Sequence, residues 1–209
     1  MPPRSTAVLT PRKSPVQARS AASVDAILDA TIQVLVAAGK ERLTTTRVAA
    51  RAGVSIGTLY QYFPNKSALL RAALKRHLEQ IAGAVERACH EQKGNGVQDM
   101  AAAVITAFLR AKMRNGKTSV ALYSASSDVD GARIAKQIEK RVNRAVVEML
   151  ETARRPITRD VGLVASMLQS VLGGISRRLL ECDDPERQFD ALHEEVIFVM
   201  RVYLEACTS

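Results

Sequence analysis

The run Thr44-Thr45-Thr46-Arg47-Val48-Ala49-Ala50-Arg51-Ala52-Gly53-Val54-Ser55-Ile56-Gly57-Thr58-Leu59-Tyr60-Gln61-Tyr62-Phe63 decides the fold around it. It reads as two short helices joined by a tight turn. Thr44 or Thr45 can cap the first helix, because a hydroxyl there accepts a hydrogen bond from an orphan backbone N–H. Ala49 is small enough for the second helix to pack closely, and Gly53 supplies the positive φ of the turn. Val54 and Leu59 fill the corner, and Ser55 can cap the second helix. A small residue, a glycine four positions later, and apolar residues one and six positions beyond that glycine have the spacing of a helix-turn-helix.

The second helix is too short and too polar to be core. Its inward face is Leu59 and Phe63, which leaves Ile56, Gly57, Thr58, Tyr60, Gln61 and Tyr62 for a groove or for water. A tyrosine on such a helix often does no more than pack its ring. Here two of them stand between the cations Arg47 and Lys66, and the segment as a whole points to DNA.

Outward from this run the apolar positions keep a helical period. Val24, Ile27, Leu28, Thr31, Ile32 and Leu35 form one face of a preceding helix, with Gly39 placed to close it. Asn65 can cap a long helix running to about residue 92, ended by Gly94 and Gly96. Further helices are expected over about 97–114, 118–127 and 131–154. The last two are expected over 157–182 and 185–206, the final one with Asp184 as N-cap and Pro185 at the first helical position. The chain is thus expected to be all-α, with about nine helices and no convincing strand.

Charge divides the chain. Residues 1–80 hold 12 Lys and Arg against 4 Asp and Glu, whereas residues 81–209 hold 18 against 17. A cationic segment joined to a neutral body suits a polyanion-binding module on a domain with another task. Pro2, Pro3, Pro11 and Pro15 stand among Arg4, Arg12 and Lys13 with no acidic residue before Asp25, so residues 1–19 read as a disordered basic arm. Hydrophobic residues at 47% and charged ones at 24% exclude wholesale disorder and fibrous repeats. Cys89, Cys182 and Cys207 are odd in number and widely spaced, which fits reduced thiols rather than a disulfide framework. No uninterrupted apolar run reaches the ~18 residues of a membrane span, and there is no signal-peptide core, so a cytoplasmic protein without a membrane partner is expected.

The stretch Thr45 to Leu70, Thr-Thr-Arg-Val-Ala-x-x-Ala-Gly-Val-Ser-x-Gly-Thr-Leu-Tyr-x-Tyr-Phe-x-Asn-Lys-x-x-Leu-Leu, closely resembles the DNA-binding domain of TetR-family transcriptional regulators. With the preceding helix, the resemblance covers residues 20 to about 75. It implies a homodimeric, usually repressing, regulator with a three-helix DNA-binding domain at 20–66 and a ligand-binding and dimerisation domain at 67–209. Its partners would be a double-stranded, palindromic operator and a small-molecule effector. Carried over by position, Thr45, Thr46, Tyr60, Tyr62 and the backbone and side chain of Lys66 would hold phosphates, with Arg47 beside them. Ile56, Gly57, Thr58 and Gln61 would face base edges.

The body is less specific. The resemblance puts an effector pocket among the middle helices, where Met100, Val104, Phe108, Tyr123 and Met167 are candidate lining residues. Few aromatic residues are available there, which favours an apolar ligand of acyl or steroid type over a flat aromatic cation. Apolar residues nearly all round the last helix, and the glycines of the helix before it, make Gly173, Gly174, Val196 and Met200 candidates for a two-fold interface. A plain core is the alternative for both sets.

His77, His90, His193 and the cysteines form no ligand cluster. No metal, no cofactor and no catalytic residue is expected, because phosphate-loop, nucleophile-elbow and metalloprotease spacings are all missing. Two alternatives stand beside the ligand-released repressor. One is a regulator switched by cysteine oxidation, and the other a helical enzyme or carrier that retains a nucleic-acid-binding module.

Overall fold

A computed structural model describes residues 18–182 and 184–209 of the chain. The basic arm therefore lies almost wholly outside the described residues. Among those residues there are nine α-helices and no strand. They are α1 (Ala18–Arg42), α2 (Thr45–Ala52), α3 (Ile56–Tyr62), α4 (Lys66–Glu91), α5 (Val97–Met113), α6 (Gly116–Ala125), α7 (Gly131–Leu150), α8 (Val161–Glu181) and α9 (Pro185–Glu205). A 3₁₀ turn, Ser126–Val129, joins α6 to α7.

The helices fall into two units. The first takes in the chain through His77 together with Val120–Ile134, and the second takes Leu78–Ser119 with Ala135–Ser209. The division falls inside α4 rather than at its first residue. Within the first unit Leu69, Leu70 and Ala73 of α4 are buried, as are Ile27, Leu35, Val48, Leu59 and Phe63. Arg76 adds polar ties to α1, its guanidinium lying 2.5 Å from Asp29 and 3.5 Å from Asp25.

Ser20–Arg42 of α1 is long and apolar enough to cross a membrane, by length and composition only. It is not an uninterrupted apolar run, because Asp25 and Asp29 stand within it. Ile27, Leu28, Ala30 and Leu35 of this helix are buried within the chain, and Asp25 and Asp29 hold Arg76. Gly39, with φ 77°, interrupts the helix where a break was expected, and one more turn follows it. In the same unit Gly131 is confined. A Cβ placed there would lie 2.7 Å from the Ser126 carbonyl oxygen and Cβ, and 3.0 Å from Leu74.

The second unit is built around α5, which packs on α9 and α8. Met100, Val104, Ile105 and Leu109 of α5 share a core with Val164, Leu168, Leu172, Val196, Met200 and Leu204. Arg141 ties α7 to α4 through Glu79 at 2.6 Å and Glu86 at 2.5 Å. Three helices differ from expectation by two residues or more, and the first, α6, runs Gly116–Ala125 rather than over 118–127. The helix expected to reach 154 stops at Leu150, because Thr152 accepts from the Gly94 N–H at 2.9 Å and the Arg154 N–H reaches the Asn95 carbonyl at 3.0 Å. The helix expected from 157 starts at Val161, capped by Asp160, which accepts from the Leu163 N–H at 2.7 Å. Ile157 instead forms an isolated bridge with Thr208. Asn115 caps α6 through the Thr118 N–H, and Asp184 caps α9 ahead of Pro185 as expected.

Candidate DNA-binding site

Residues 44–63 form the two helices and the turn that their spacing dictates. Thr44, not Thr45, is the N-cap of α2, its hydroxyl accepting from the Arg47 N–H at 3.2 Å. Gly53 sits in the left-handed region at φ 68°, ψ 27°, and its N–H returns to the end of α2. Ser55 caps α3, accepting from the Thr58 N–H at 3.0 Å. Leu59 and Phe63 are buried and Val54 is half-buried, so the apolar corner exists.

Because Thr44 takes the cap, the Thr45 hydroxyl is available to the Tyr60 phenol, 3.1 Å away. That bond ties the start of α2 to the exposed side of α3. Ile56 and Tyr60 are each 41% exposed, and Gly57 and Gln61 are exposed beside them. These four residues of α3, with Thr46 and Arg47 of α2, make a surface whose large side chains have no core to fill. Tyr62 is half-buried. Thr58 is half-buried too, its hydroxyl 2.8 Å from that of Ser55, so part of its bonding capacity is used within the cap.

Two cations are more constrained than the sequence suggested. The Lys66 ammonium donates to the Lys40 carbonyl at 2.6 Å, in a half-buried setting at the end of α1. The Arg47 guanidinium donates to the Arg42 carbonyl at 3.2 Å but stays exposed. Sequence reasoning missed Arg51, whose Nε donates to Gln33 at 2.6 Å and locks α2 to α1. An i-to-i pattern cannot show a pair 18 positions apart.

The residues named for an effector pocket scatter. Met100 and Val104 are sealed in the core, Phe108 packs against it, and Tyr123 and Met167 are each 45% exposed. Of the residues named for a dimer interface, Val196 and Met200 pack into the chain's own core, whereas Gly173 and Gly174 are exposed with open space around them. The outward apolar surface of α8 and α9 is carried instead by Leu163, Met167, Phe198, Val199 and Val202. Cys89 and Cys207 are buried, and burial, helped by Glu86, pushes the Cys89 thiol up to about 11. Among the described residues no group of His, Cys, Asp and Glu could hold a metal ion.

A capped helix-turn-helix with an exposed second helix, in an all-α chain with a larger helical body, defines a DNA-binding regulator of the helix-turn-helix class. Residues 27–73 match the model of bacterial regulatory proteins of the tetR family, and residues 97–204 match a tetracyclin repressor-like C-terminal domain. The chain belongs to the TetR family. It is 31% identical over 147 residues to the transcriptional repressor KstR of Rhodococcus jostii, covering 69% of this chain and 66% of that one. It is 47% identical over 62 residues to KstR of Mycolicibacterium smegmatis, 30% of each chain. The alignments thus span under a third and about two thirds of these relatives' lengths. In fold it is similar to the fatty acid degradation regulator FadR of Bacillus halodurans, with a TM-score of 0.69 over 86% of this chain and 94% of that one, at 19% identity. FadR of Bacillus subtilis, solved in complex with stearoyl-CoA, gives 0.65 over 84% and 96%, also at 19% identity.

Proposed function

We propose that this protein is a cytoplasmic, dimeric repressor that leaves a palindromic operator when its C-terminal unit binds a small apolar ligand, and that it catalyses no reaction. The observation that carries the reading is α3, a capped helix that offers Ile56, Gly57, Tyr60 and Gln61 to the outside while Leu59 and Phe63 anchor it. A helix held from behind and polar in front is what major-groove reading requires.

In this reading Thr45, Thr46, Tyr60, Tyr62 and the backbone of Lys66 bind phosphates, with Arg47 adding charge. Ile56, Gly57, Thr58 and Gln61 meet base edges. Tyr60 is held by Thr45, so its phenol meets the phosphate with little freedom left to lose. The Lys66 side chain serves chiefly to hold the end of α1, since its ammonium lies on the Lys40 carbonyl.

Dimerisation is assigned to the outward faces of α8 and α9 around Leu163, Phe198, Val199 and Val202, with Gly173 and Gly174 allowing close approach. With Met167, these make five exposed large apolar side chains on two neighbouring helices, an interaction surface by ordinary surface statistics. Ligand control works through α4, whose residues belong to both units. The apolar character of the ligand is supported by the aliphatic second unit and by the stearoyl-CoA bound to the Bacillus subtilis FadR. A thiol switch fits less well, because Cys89 and Cys207 are buried. The test is duplex binding by the purified chain with and without Tyr60→Ala. A sequence-specific complex that the substitution weakens at least tenfold supports the reading, and a complex indifferent to it refutes the assignment of α3.

A further inference from the structure

Helix α7 has two unlike sides. Its apolar residues Ile134, Val146, Met149 and Leu150 are buried, and the last three of them join the core of the second unit. On the opposite side Lys136, Lys140 and Arg144 follow one another at steps of four residues, and all three are exposed. Four-residue steps stack side chains on one face of a helix, so the row runs roughly 12 Å along α7. Like charges at that spacing repel and destabilise the helix, whereas an acidic residue at position 140 would turn both repulsions into attractions. The fold itself gains nothing from this row.

The cation that the fold does use is Arg141, on the side turned to α4, held by Glu79 at 2.6 Å and Glu86 at 2.5 Å. Glu148 lies 3.9 Å from Lys93 instead of joining the row. Glu139 flanks the row, yet Lys136, Lys140 and Arg144 form no ion pair with it or with any other acidic side chain among the described residues. On the neighbouring α8, residues 161–176 carry no charge. There Asn143 of α7 donates to Gln169 at 3.2 Å and to Ser166 at 3.4 Å, so amides and a hydroxyl border the cations. Lysine, arginine, serine, asparagine and glutamine are all side chains that contact phosphate oxygens.

We infer that the row Lys136, Lys140 and Arg144 is a second duplex-binding face, in the unit that lacks α3, and that it grips the phosphate backbone without reading bases. A straight row of cations suits a polymer whose charges recur about every 1.7 Å along the duplex axis. A small acidic ligand would leave most of the row unused. Two of the three are lysines, point charges without the planar fork that recognises one partner geometry, which suits contact indifferent to sequence. A membrane surface fits less well, because an interfacial helix sinks its apolar face into lipid and that of α7 is committed to the core. The face adds affinity for any duplex through released counterions and leaves the choice of site to α3.

The test is a lysine footprint on the full chain, acetylated partially by acetic anhydride at low salt with and without an excess of duplex of arbitrary sequence, and read by mass spectrometry. Lys136 and Lys140 are expected to be protected by the duplex, and Lys117, exposed in the same unit, is not. Lys136→Gln, Lys140→Gln and Arg144→Gln together should weaken binding of that duplex about tenfold at low salt and lower the slope of log affinity against log salt by about 2–3. Lys117→Gln, Arg154→Gln and Arg159→Gln, which remove the same charge from other exposed positions, should do neither. Both triple variants should select the same sequence from a randomised pool as the unsubstituted chain. Lys136 and Lys140 left as reactive as Lys117, equal losses of affinity in the two triple variants, or protection by phosphatidylglycerol vesicles in place of the duplex would overturn the assignment.

Discussion

Gln61 stands on the exposed side of α3 with no partner of its own element to hold it, and its amide can pair with both hydrogen-bonding edges of an adenine. Gln61→Ala is expected to change which base is preferred at one position of each half-site, by about 1–3 kcal/mol in discrimination, with little effect on melting temperature. A selection from randomised duplexes reads this directly, and recovery of the unchanged motif would remove Gln61 from base reading. Gly131 offers the opposite case, a residue defined by what surrounds it. A methyl group there meets the Ser126 carbonyl and Leu74, and the backbone oxygen cannot rotate away as a side chain could. Gly131→Ala should therefore destabilise the first unit by about 1–3 kcal/mol in a denaturant titration. Cys89 is sealed in the core with its thiol near 11, so it stays protonated in the folded chain at pH 8. Iodoacetamide at that pH should label the half-buried Cys182 well before Cys89, and equal rates would show that the core around Cys89 opens readily.

At the scale of the element, α8 and α9 each have an inner and an outer apolar face. Val196, Met200 and Leu204 close the core, and Phe198, Val199 and Val202 look outward, with Phe198 63% exposed. The two faces give separable predictions. Phe198→Asp with Val202→Asp should yield a folded monomer by sedimentation, because the charges remain in water until a partner tries to cover them. Val196→Asp should unfold the second unit, because an unpaired carboxylate in that core costs several kcal/mol. The sequence showed that α9 is apolar nearly all round. It could not say which stripe turns inward, because Val196, Val199, Met200 and Val202 are equally apolar and the choice depends on where α5 lies. The same limit explains the pocket residues. Met100 and Val104 have the right type for a ligand wall but stand on the face of α5 that meets the core. What was legible came from local chemistry: Gly53 at its positive φ, Ser55 and Asp184 as caps, and Leu59 and Phe63 as anchors. Contacts between distant positions, such as Lys66 on Lys40 or Arg51 on Gln33, were not legible.

Across the whole molecule, the excess of cations over the first 80 residues predicts binding that is steeply salt-dependent, since each phosphate neutralised by the protein releases condensed counterions. Deleting residues 1–17, which stops short of α1, should weaken binding to all duplexes alike at low salt and leave the preferred sequence unchanged. Two copies of α3 reading one site together is the core of the proposed function, and it is measured most directly by selecting duplexes from a randomised pool with the purified chain. The selected duplexes should be palindromes whose half-sites lie one helical turn apart, about 34–36 Å, or a multiple of it. Phe198→Asp with Val202→Asp should abolish enrichment of the palindrome, and Tyr60→Ala should weaken binding to it at least tenfold. Enrichment of no sequence, or of a single half-site bound equally well by the unsubstituted chain and by both variants, would contradict it.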